Sequence, residues 1–266
     1  SGALSSVLDI QLRDGNPEKQ TFKATLGASE VSLSGSGHIG EKTSYLFSLR
    51  QSYLQLLFKM IGLPFLPNYI DGQLTVLGLA GFDNMKLNLD EEGEDAEYLL
   101  SYLPRIRQET FTVGAAWRHY AGRHVQTVSL GHTYLNNRNL KYRGNDDSSE
   151  DNLTLRLRSV EQKTTLRAEN RSYLGRWTVR EGAELSYSGY TNRTEQRLFT
   201  DEAALSDYRT RLGIVGWGLF AGADYASADK RFTASVGVRA DGADYSARMA
   251  RFWRQLSPRA SVSYQL

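Results

Sequence analysis

Long stretches in which apolar and polar side chains alternate at every second position constrain this chain more than any other feature. From Val215 to Tyr225 the odd positions are Val, Trp, Leu, Ala, Ala and Tyr, whereas the even positions are mainly Gly. After a polar segment at residues 227–230, the alternation resumes over residues 232–239. Because successive side chains of a β-strand point to opposite faces, this pattern predicts two antiparallel strands joined by a short turn.

Alternation of the same kind recurs along the chain, so the predicted fold class is all-β. No run of eighteen or more apolar residues is present, which excludes membrane-spanning helices. The mean hydropathy of −0.46 is still compatible with a membrane protein, because a transmembrane β-barrel needs apolar side chains only at alternate positions. Further runs begin near Phe22, Val31, Tyr45, Phe111, Leu153, Val179 and Ala260.

The predicted connections alternate in length, as they do between the two rims of an outer-membrane barrel. Many predicted strands are about ten residues long or longer, as a tilted membrane-crossing strand must be. We therefore predict an antiparallel transmembrane β-barrel, with a soluble β-sandwich binding module as an alternative that would extract without detergent. The expected short connections are residues 41–42, 121–123, 175–176 and 227–230, and the expected long ones are 51–68, 84–105, 137–151, 192–207 and 247–256.

We expect the two faces of each strand to differ, one facing lipid and the other facing the lumen. We expect lipid contact for Val215, Trp217, Leu219, Phe232, Ala234, Val236 and Val238, and inward orientation for Gly216, Gly218, Gly222, Arg239 and Asp241. Mid-strand charges expected to line a wet lumen include Arg156, Arg158, Arg167, Glu169 and Arg171. Aromatic residues expected near strand ends, where interface girdles lie, are Tyr45, Trp117, Tyr120, Tyr134, Trp177, Tyr187, Tyr190, Tyr225 and Tyr245.

Two stretches break the strand pattern and are predicted to be short loop helices. Residues 52–65 place Leu54, Leu57, Phe58 and Ile61 at helical spacing, and residues 91–103 begin acidic and become apolar. A role at the membrane surface is the alternative for both.

Composition and motifs argue against several other function classes. The net charge of +2 arises from 32 basic and 30 acidic residues without a basic block, so no nucleic-acid partner is expected. Cysteine is absent, which excludes disulfides and thiolate metal sites. His38, His119, His124 and His132 lack metal-binding spacing, although His119 and His124 flank a short turn and could meet across it. We therefore expect no catalytic site, metal or cofactor, and no enzyme.

The segment from Gly35 through Gly37 to Gly40 matches the G-x-G-x-x-G fingerprint of dinucleotide sites. That fingerprint requires a helix immediately after the glycines, so that the pyrophosphate meets the helix N-terminus. Residues 43–50 read instead as a strand, and the glycines are better explained as the end of a barrel strand.

Several segments resemble TonB-dependent receptors, in particular those of the Bacteroidetes type. Residues 1–16 are similar to the last strand of the plug domain in that family. The segments similar to its barrel strands are residues 22–35, 49–54, 63–67, 78–83 and 257–264.

This resemblance implies an outer-membrane barrel of about 22 strands that is closed by an N-terminal plug and imports a scarce nutrient. Siderophores, haem, cobalamin, glycans and peptides all remain open as that nutrient. The implied partners are an inner-membrane TonB complex that pulls on the plug through an N-terminal segment, outer-membrane lipid and a surface lipoprotein.

The expected organisation is the end of a plug over residues 1–17, followed by about 11–12 strands of a larger barrel over residues 18–266. A break in the chain is expected near Gln73–Leu74, because only residues 69–73 are available to cross the membrane after the predicted loop at 51–68. A complete small barrel acting as an enzyme or passive pore is the alternative to a receptor.

Overall fold

The structure, a computed structural model, describes residues 16, 18–40, 43–74, 78–199 and 203–265. Within these residues, twelve strands lie in two compact units, residues 1–103 and 104–266, and neighbouring strands inside each unit pair antiparallel. Among the described residues, no helix is both long and apolar enough to cross a membrane. The predicted plug segment lies outside the described residues except for Asn16, whose side-chain oxygen accepts hydrogen bonds from the backbone N–H groups of Glu18 and Lys19.

The first unit contains five strands of six to ten residues and two helices. Both helices fall within the predicted segments and are confirmed: α1 spans Leu54–Met60 and α2 spans Glu94–Tyr102. The strands pair in chain order from β1 to β5. They are β1 (Thr21–Leu26), β2 (Glu30–Ile39), β3 (Thr43–Ser52), β4 (Phe65–Leu74) and β5 (Gly78–Leu87).

The expected break near Gln73–Leu74 is wrong. Both residues lie in β4 and pair in continuous register with Leu79 and Gly78 of β5. The prediction failed because β4 begins at Phe65, inside the segment assigned to a long loop. The strand therefore has ten residues, which is enough to cross a membrane at a tilt.

The second unit contains seven strands of nine to 24 residues, which pair in chain order from β6 to β12. The predicted tight turns at residues 121–123, 175–176 and 227–230 are confirmed, since each lies where one strand ends and the next begins. Short 3₁₀ turns occupy Arg143–Asn145, Glu150–Asn152 and Phe252–Arg254. The strands are β6 (Arg105–Ala121), β7 (His124–Tyr142), β8 (Leu153–Leu174), β9 (Trp177–Phe199), β10 (Ala203–Ala226), β11 (Phe232–Ala243) and β12 (Leu256–Tyr264).

The predicted long loop at residues 192–207 is wrong. β9 and β10 remain paired through Thr194↔Tyr208 up to Phe199↔Ala203, so most of that segment is strand. The segment carries polar side chains on both faces, which removes the apolar–polar alternation from the sequence although the ladder of backbone hydrogen bonds continues.

Register assigns the side chains of the second unit to two faces. We call the face that carries Val215, Leu219 and Val236 the apolar face, and the opposite one, which carries Gly218 and Arg239, the polar face. The grouping of side chains onto two faces that is predicted for the β10–β11 hairpin is confirmed by this register. Among the aromatic residues, Trp117, Tyr134, Trp177, Tyr187 and Tyr225 lie on the apolar face, whereas Tyr120 and Tyr190 lie on the polar one.

Burial is inverted relative to a water-soluble domain. Leu219, Val236 and Leu185 on the apolar face are 57%, 55% and 51% exposed. Asn192 and Thr194 on the polar face are buried. Soluble proteins bury such apolar side chains and expose the polar ones, so this arrangement is typical of a barrel with lipid outside and polar groups inside.

Candidate functional site

A network of ion pairs runs across the polar face of β8–β11. Arg239 lies at its centre: its Nε donates to Asp241 Oδ1 at 2.8 Å, and its Nη2 lies 3.3 Å from Glu184 Oε1. Arg167 approaches the other oxygen of Glu184 at 3.4 Å and donates to Glu169 at 2.8 Å. Two arginines therefore share one carboxylate, and each has a second acidic partner.

The network continues towards the short turns of the second unit. Arg171 donates to Glu169 at 3.2 Å, and Arg180 donates to Asp224 at 2.7 Å. Ser235 Oγ also donates to Asp224, at 2.6 Å. Charged groups that are paired and hydrogen-bonded in this way can tolerate partial removal from water.

An aromatic ring lies among these charges. The Arg167 guanidinium carbon sits 4.3 Å from the centre of the Phe220 ring, within the range of a cation–π interaction. The ring occupies the space above Gly182, where an added Cβ would meet Phe220 Cζ and the Ala168 carbonyl oxygen, each at 2.4 Å. A glycine is therefore required at residue 182 for the ring to take this position.

The part of the polar face nearer the long β7–β8 loop is rich in amides and hydroxyls, and Lys141 is the charged residue of β7 there. Asn137 pairs in register with Ser159, which pairs with Asn192. The side-chain oxygens of Asn137 and Asn139 are buried without a hydrogen-bond partner among the described residues. We call this region the amide surface; it comprises Gln108, Asn137, Asn139, Ser159, Asn192, Thr194, Tyr208 and Thr210.

The β7–β8 loop beside this surface is held by charged hydrogen bonds. Arg105, at the start of β6, forms an ion pair with Asp147, and that hydrogen bond lowers the pKa of the Asp147 carboxyl. Hydrogen bonds from Ser148 and Asn152 lower the pKa of Asp146 in the same loop. Both carboxylates therefore help to order the loop while they are ionised.

Two charges predicted to line the lumen do not do so. Arg156 and Arg158 lie on the apolar face of β8, on the same side as Leu166, whereas Arg167, Glu169 and Arg171 lie on the polar face as predicted. The prediction grouped these arginines by their charge, but their even residue numbers place them with the apolar side chains of the strand.

The glycine fingerprint lies in a β-hairpin. Gly35 and Gly37 are in β2, Gly40 follows it with φ of 65°, and β3 begins at Thr43. A Cβ at Gly35 would lie 2.4 Å from the Phe47 ring, and one at Gly37 would lie 2.9 Å from Tyr45 Oη. These glycines make room for aromatic side chains of β3, which explains the motif without a nucleotide.

The histidines are placed separately along the strands. His124 Nδ1 lies 2.8 Å from Ser172 Oγ, His132 Nδ1 lies 2.9 Å from Thr164 Oγ1, and His119 stacks on Trp117. His119 and His124 do not form a cross-strand pair, since their register partners are Gln126 and Ala121. Within the described ranges, no group of three or more potential metal ligands is found.

Comparison with known proteins agrees with this arrangement of faces. A family model described as "TonB dependent receptor-like, beta-barrel" matches residues 61–266. The chain belongs to the TonB-dependent receptor family. The predicted antiparallel barrel class is therefore confirmed, and the family is one of outer-membrane receptors and transporters.

A solved receptor structure is similar in fold. It is the pyoverdine outer membrane receptor FpvA from Pseudomonas aeruginosa PAO1 bound to pyoverdine, with a TM-score of 0.50 and 12% sequence identity. The match covers 92% of this chain and 42% of that one, so the receptor chain described here spans less than half the length of that structure. No curated protein sequence shows a significant match.

Proposed function

We propose that this chain forms part of the wall of a receptor that imports a scarce nutrient across the outer membrane of a Gram-negative bacterium. The observation that carries the proposal is the inverted barrel wall within a family of receptors: an exposed apolar face opposite a buried polar one. The protein carries out transport and no covalent chemistry.

The two regions of the polar face suggest a division of roles. The ion-pair network around Arg239 and Glu184 would face the plug, because paired charges can re-form with plug side chains as the plug moves. The amide surface would contact the nutrient, because its half-buried amides and hydroxyls can form hydrogen bonds with a polar ligand.

The partners and the finer classification are part of the same proposal. Residues 1–17 would end the plug of a Bacteroidetes-type receptor, and a segment before them would contact the inner-membrane TonB complex. The apolar face would contact outer-membrane lipid, and a surface lipoprotein could assist in capturing the nutrient. This chain would then supply part of a larger barrel.

Growth of a strain that lacks the gene tests the proposal. We expect the deletion to abolish growth on one limiting nutrient among siderophores, haem, cobalamin, glycans and peptides, and the intact full-length gene to restore it. Replacing Asn137 and Asn139 together by Ala should raise the nutrient concentration needed for half-maximal growth about tenfold, since two hydrogen bonds are lost. Thr191→Ala, on the opposite face of β9, is the matched control and should restore growth fully.

The same strain separates energy-coupled import from a passive pore. Import through the receptor should stop when the proton gradient across the inner membrane is collapsed. Uptake that continues under those conditions, or a deletion strain that grows on every nutrient offered, would contradict the proposal.

A further inference from the structure

Five arginines lie side by side across five strands of the second unit, on the apolar face. Register pairs Arg107 of β6 with Arg138, Arg138 with Arg158, Arg158 with Arg193, and Arg193 with Arg209 of β10. We call these five residues the arginine row. Like charges directly opposite each other destabilise a sheet, so this arrangement costs free energy unless an anion lies against it.

The carboxylates near the row only partly neutralise it. Arg107 and Arg138 approach Glu109 at 3.1 and 4.0 Å. Arg193 and Arg209 share Asp207 at 3.4 and 3.5 Å, and Arg193 also pairs with Glu195.

The middle of the row is the least neutralised part. Arg158 is exposed and has no ion pair among the described residues, although it lies between two other arginines. Arg211 adds further positive charge on the same face in a neighbouring register position, whereas Arg156 beside it is paired with Glu150 and Glu195. The region therefore has a surplus of guanidinium groups that point away from the lumen.

The position of the row along the strands identifies what it would meet. It lies between the apolar band and the ends of the strands that lead to the long β7–β8 loop. Arg107 is four residues from Phe111 on the same face of β6, and Arg193 is six residues from Tyr187 on β9. At about 3.3 Å per residue and a tilt of about 45°, these separations place the row about 9–14 Å beyond the aromatic edge of the band.

The arginine row also spans a range of heights along the membrane normal. Because the strands tilt, a line of side chains along the hydrogen-bonding direction rises by about 3.4 Å per strand, so the four steps across five strands cover about 14 Å. The interfacial layer that contains the lipid headgroups lies next to the hydrocarbon core on this side of the apolar band.

We propose that the arginine row binds the phosphorylated headgroups of lipids in the outer leaflet of the outer membrane. Guanidinium groups bind phosphate through paired N–H donors, which lysine cannot match. Continuity with the apolar band favours a lipid over a soluble partner, since the acyl chains of the same molecule would lie against Phe111 and Tyr187. This inference rests on the membrane placement in the proposed function, and it adds a lipid-binding site on the outer wall.

Lipid binding by the full-length receptor in nonionic detergent tests the inference. The probe is a diphosphorylated glucosamine lipid, compared with the same lipid after removal of both phosphates, and bound lipid is measured by native mass spectrometry. We expect the phosphorylated lipid to bind at least about tenfold more tightly and its affinity to fall as salt is raised.

The variant with Arg158→Gln and Arg209→Gln should bind the phosphorylated lipid about tenfold more weakly, because two of the five guanidinium groups are lost. The matched control carries Arg123→Gln and Arg176→Gln, two exposed arginines at the short turns, and should bind as the unmodified receptor does. Heat-dependent migration in detergent gels verifies that each variant has folded.

Equal binding of the two lipids by the unmodified receptor would overturn the inference, and that comparison does not depend on any variant folding. Equal loss of binding in the double variant and the control would overturn it as well. So would a double variant that keeps its lipid affinity and loses capture of an acidic protein partner. Nutrient import is measured separately, and its absence would count against the proposed function while leaving the lipid result unaffected.

Discussion

The β9–β10 hairpin contains two regions that share one backbone ladder and differ in their side chains. In the lower region, from Trp177↔Tyr225 to Tyr187↔Val215, the apolar face carries Ala183, Leu185 and Leu219. In the upper region, from Thr191↔Arg211 to Phe199↔Ala203, the same face carries mainly charged side chains such as Arg193 and Arg209.

Strand length explains why both regions exist. β9 has 23 residues, whereas about 9–11 residues of a tilted strand cross a membrane. Roughly half of β9 therefore extends beyond the hydrocarbon layer. The difference between the two regions shows that hydrogen-bond pairing sets the extent of the strand, while its surroundings set which side chains each face can carry.

The largest expected effect is on stability, when an arginine is placed on the apolar face in the lower region and, separately, in the upper region. Ala183→Arg introduces a charge into the apolar band and should destabilise the barrel by about 2–4 kcal/mol, because the guanidinium would have to enter lipid. Thr191→Arg lies on the same face of the same strand, eight residues further along, and should change stability by less than about 0.5 kcal/mol. Urea unfolding of the full-length receptor in lipid vesicles measures both.

Similar destabilisation by the two substitutions would show that the boundary between the regions is misplaced. A larger effect at Thr191 than at Ala183 would reverse the assignment of the apolar band.

Substituting two glycines of β9 by alanine should give a smaller difference in stability. Gly182→Ala should destabilise by about 1–3 kcal/mol, because its Cβ meets the Ala168 carbonyl oxygen and the Phe220 ring at 2.4 Å. Gly189→Ala meets only the Gln162 side chain, 2.9 Å away at Nε2, which can move aside, so it should be within about 0.5 kcal/mol of the unmodified receptor. Equal urea midpoints for the two variants would show that Phe220 does not hold the packed position described above.

The smallest expected effect concerns the pH dependence of the β7–β8 loop. The pKa of Asp147 is lowered by its hydrogen bond with Arg105, so the ordering it contributes is present above the ordinary aspartate pKa of about 3.9 and is lost as the pH falls through the lowered value. Loop protection from proteolysis should therefore decrease only below about pH 4. Asp147→Asn should show the weaker protection from proteolysis already at neutral pH, by a modest amount because the Asp147 side chain is more than half exposed.

Asp229→Asn at the opposite, short-turn rim is the control for this experiment and should leave the β7–β8 loop unchanged. Cleavage of the loop that is independent of pH in the unmodified receptor would contradict the assigned role of Asp147.

The sequence predicted the fold most accurately where one face of a strand is apolar. The β10–β11 hairpin, its turn and both of its faces follow from alternation alone, since lipid outside and polar groups inside impose a strict period of two. Both loop helices were also predicted, because helical spacing of apolar residues is a local pattern.

The same reasoning failed where both faces are polar. Residues 192–207 lack apolar alternation and were read as a loop, although cross-strand ion pairs such as Arg193 with Asp207 were a usable signal. The length predicted for β4 was too short because its first residues, from Phe65, fall inside the segment predicted as a long loop at 51–68.

The sequence by itself determined that the chain is an antiparallel barrel wall with an apolar and a polar side, because that information lies in the spacing of neighbouring residues. Only the tertiary structure decided which distant residues meet. Arg239 reaches Glu184 across β10, and the arginine row combines residues from five strands. Those contacts depend on strand register, and register is set jointly by the pairing of all the strands, so no single segment specifies it.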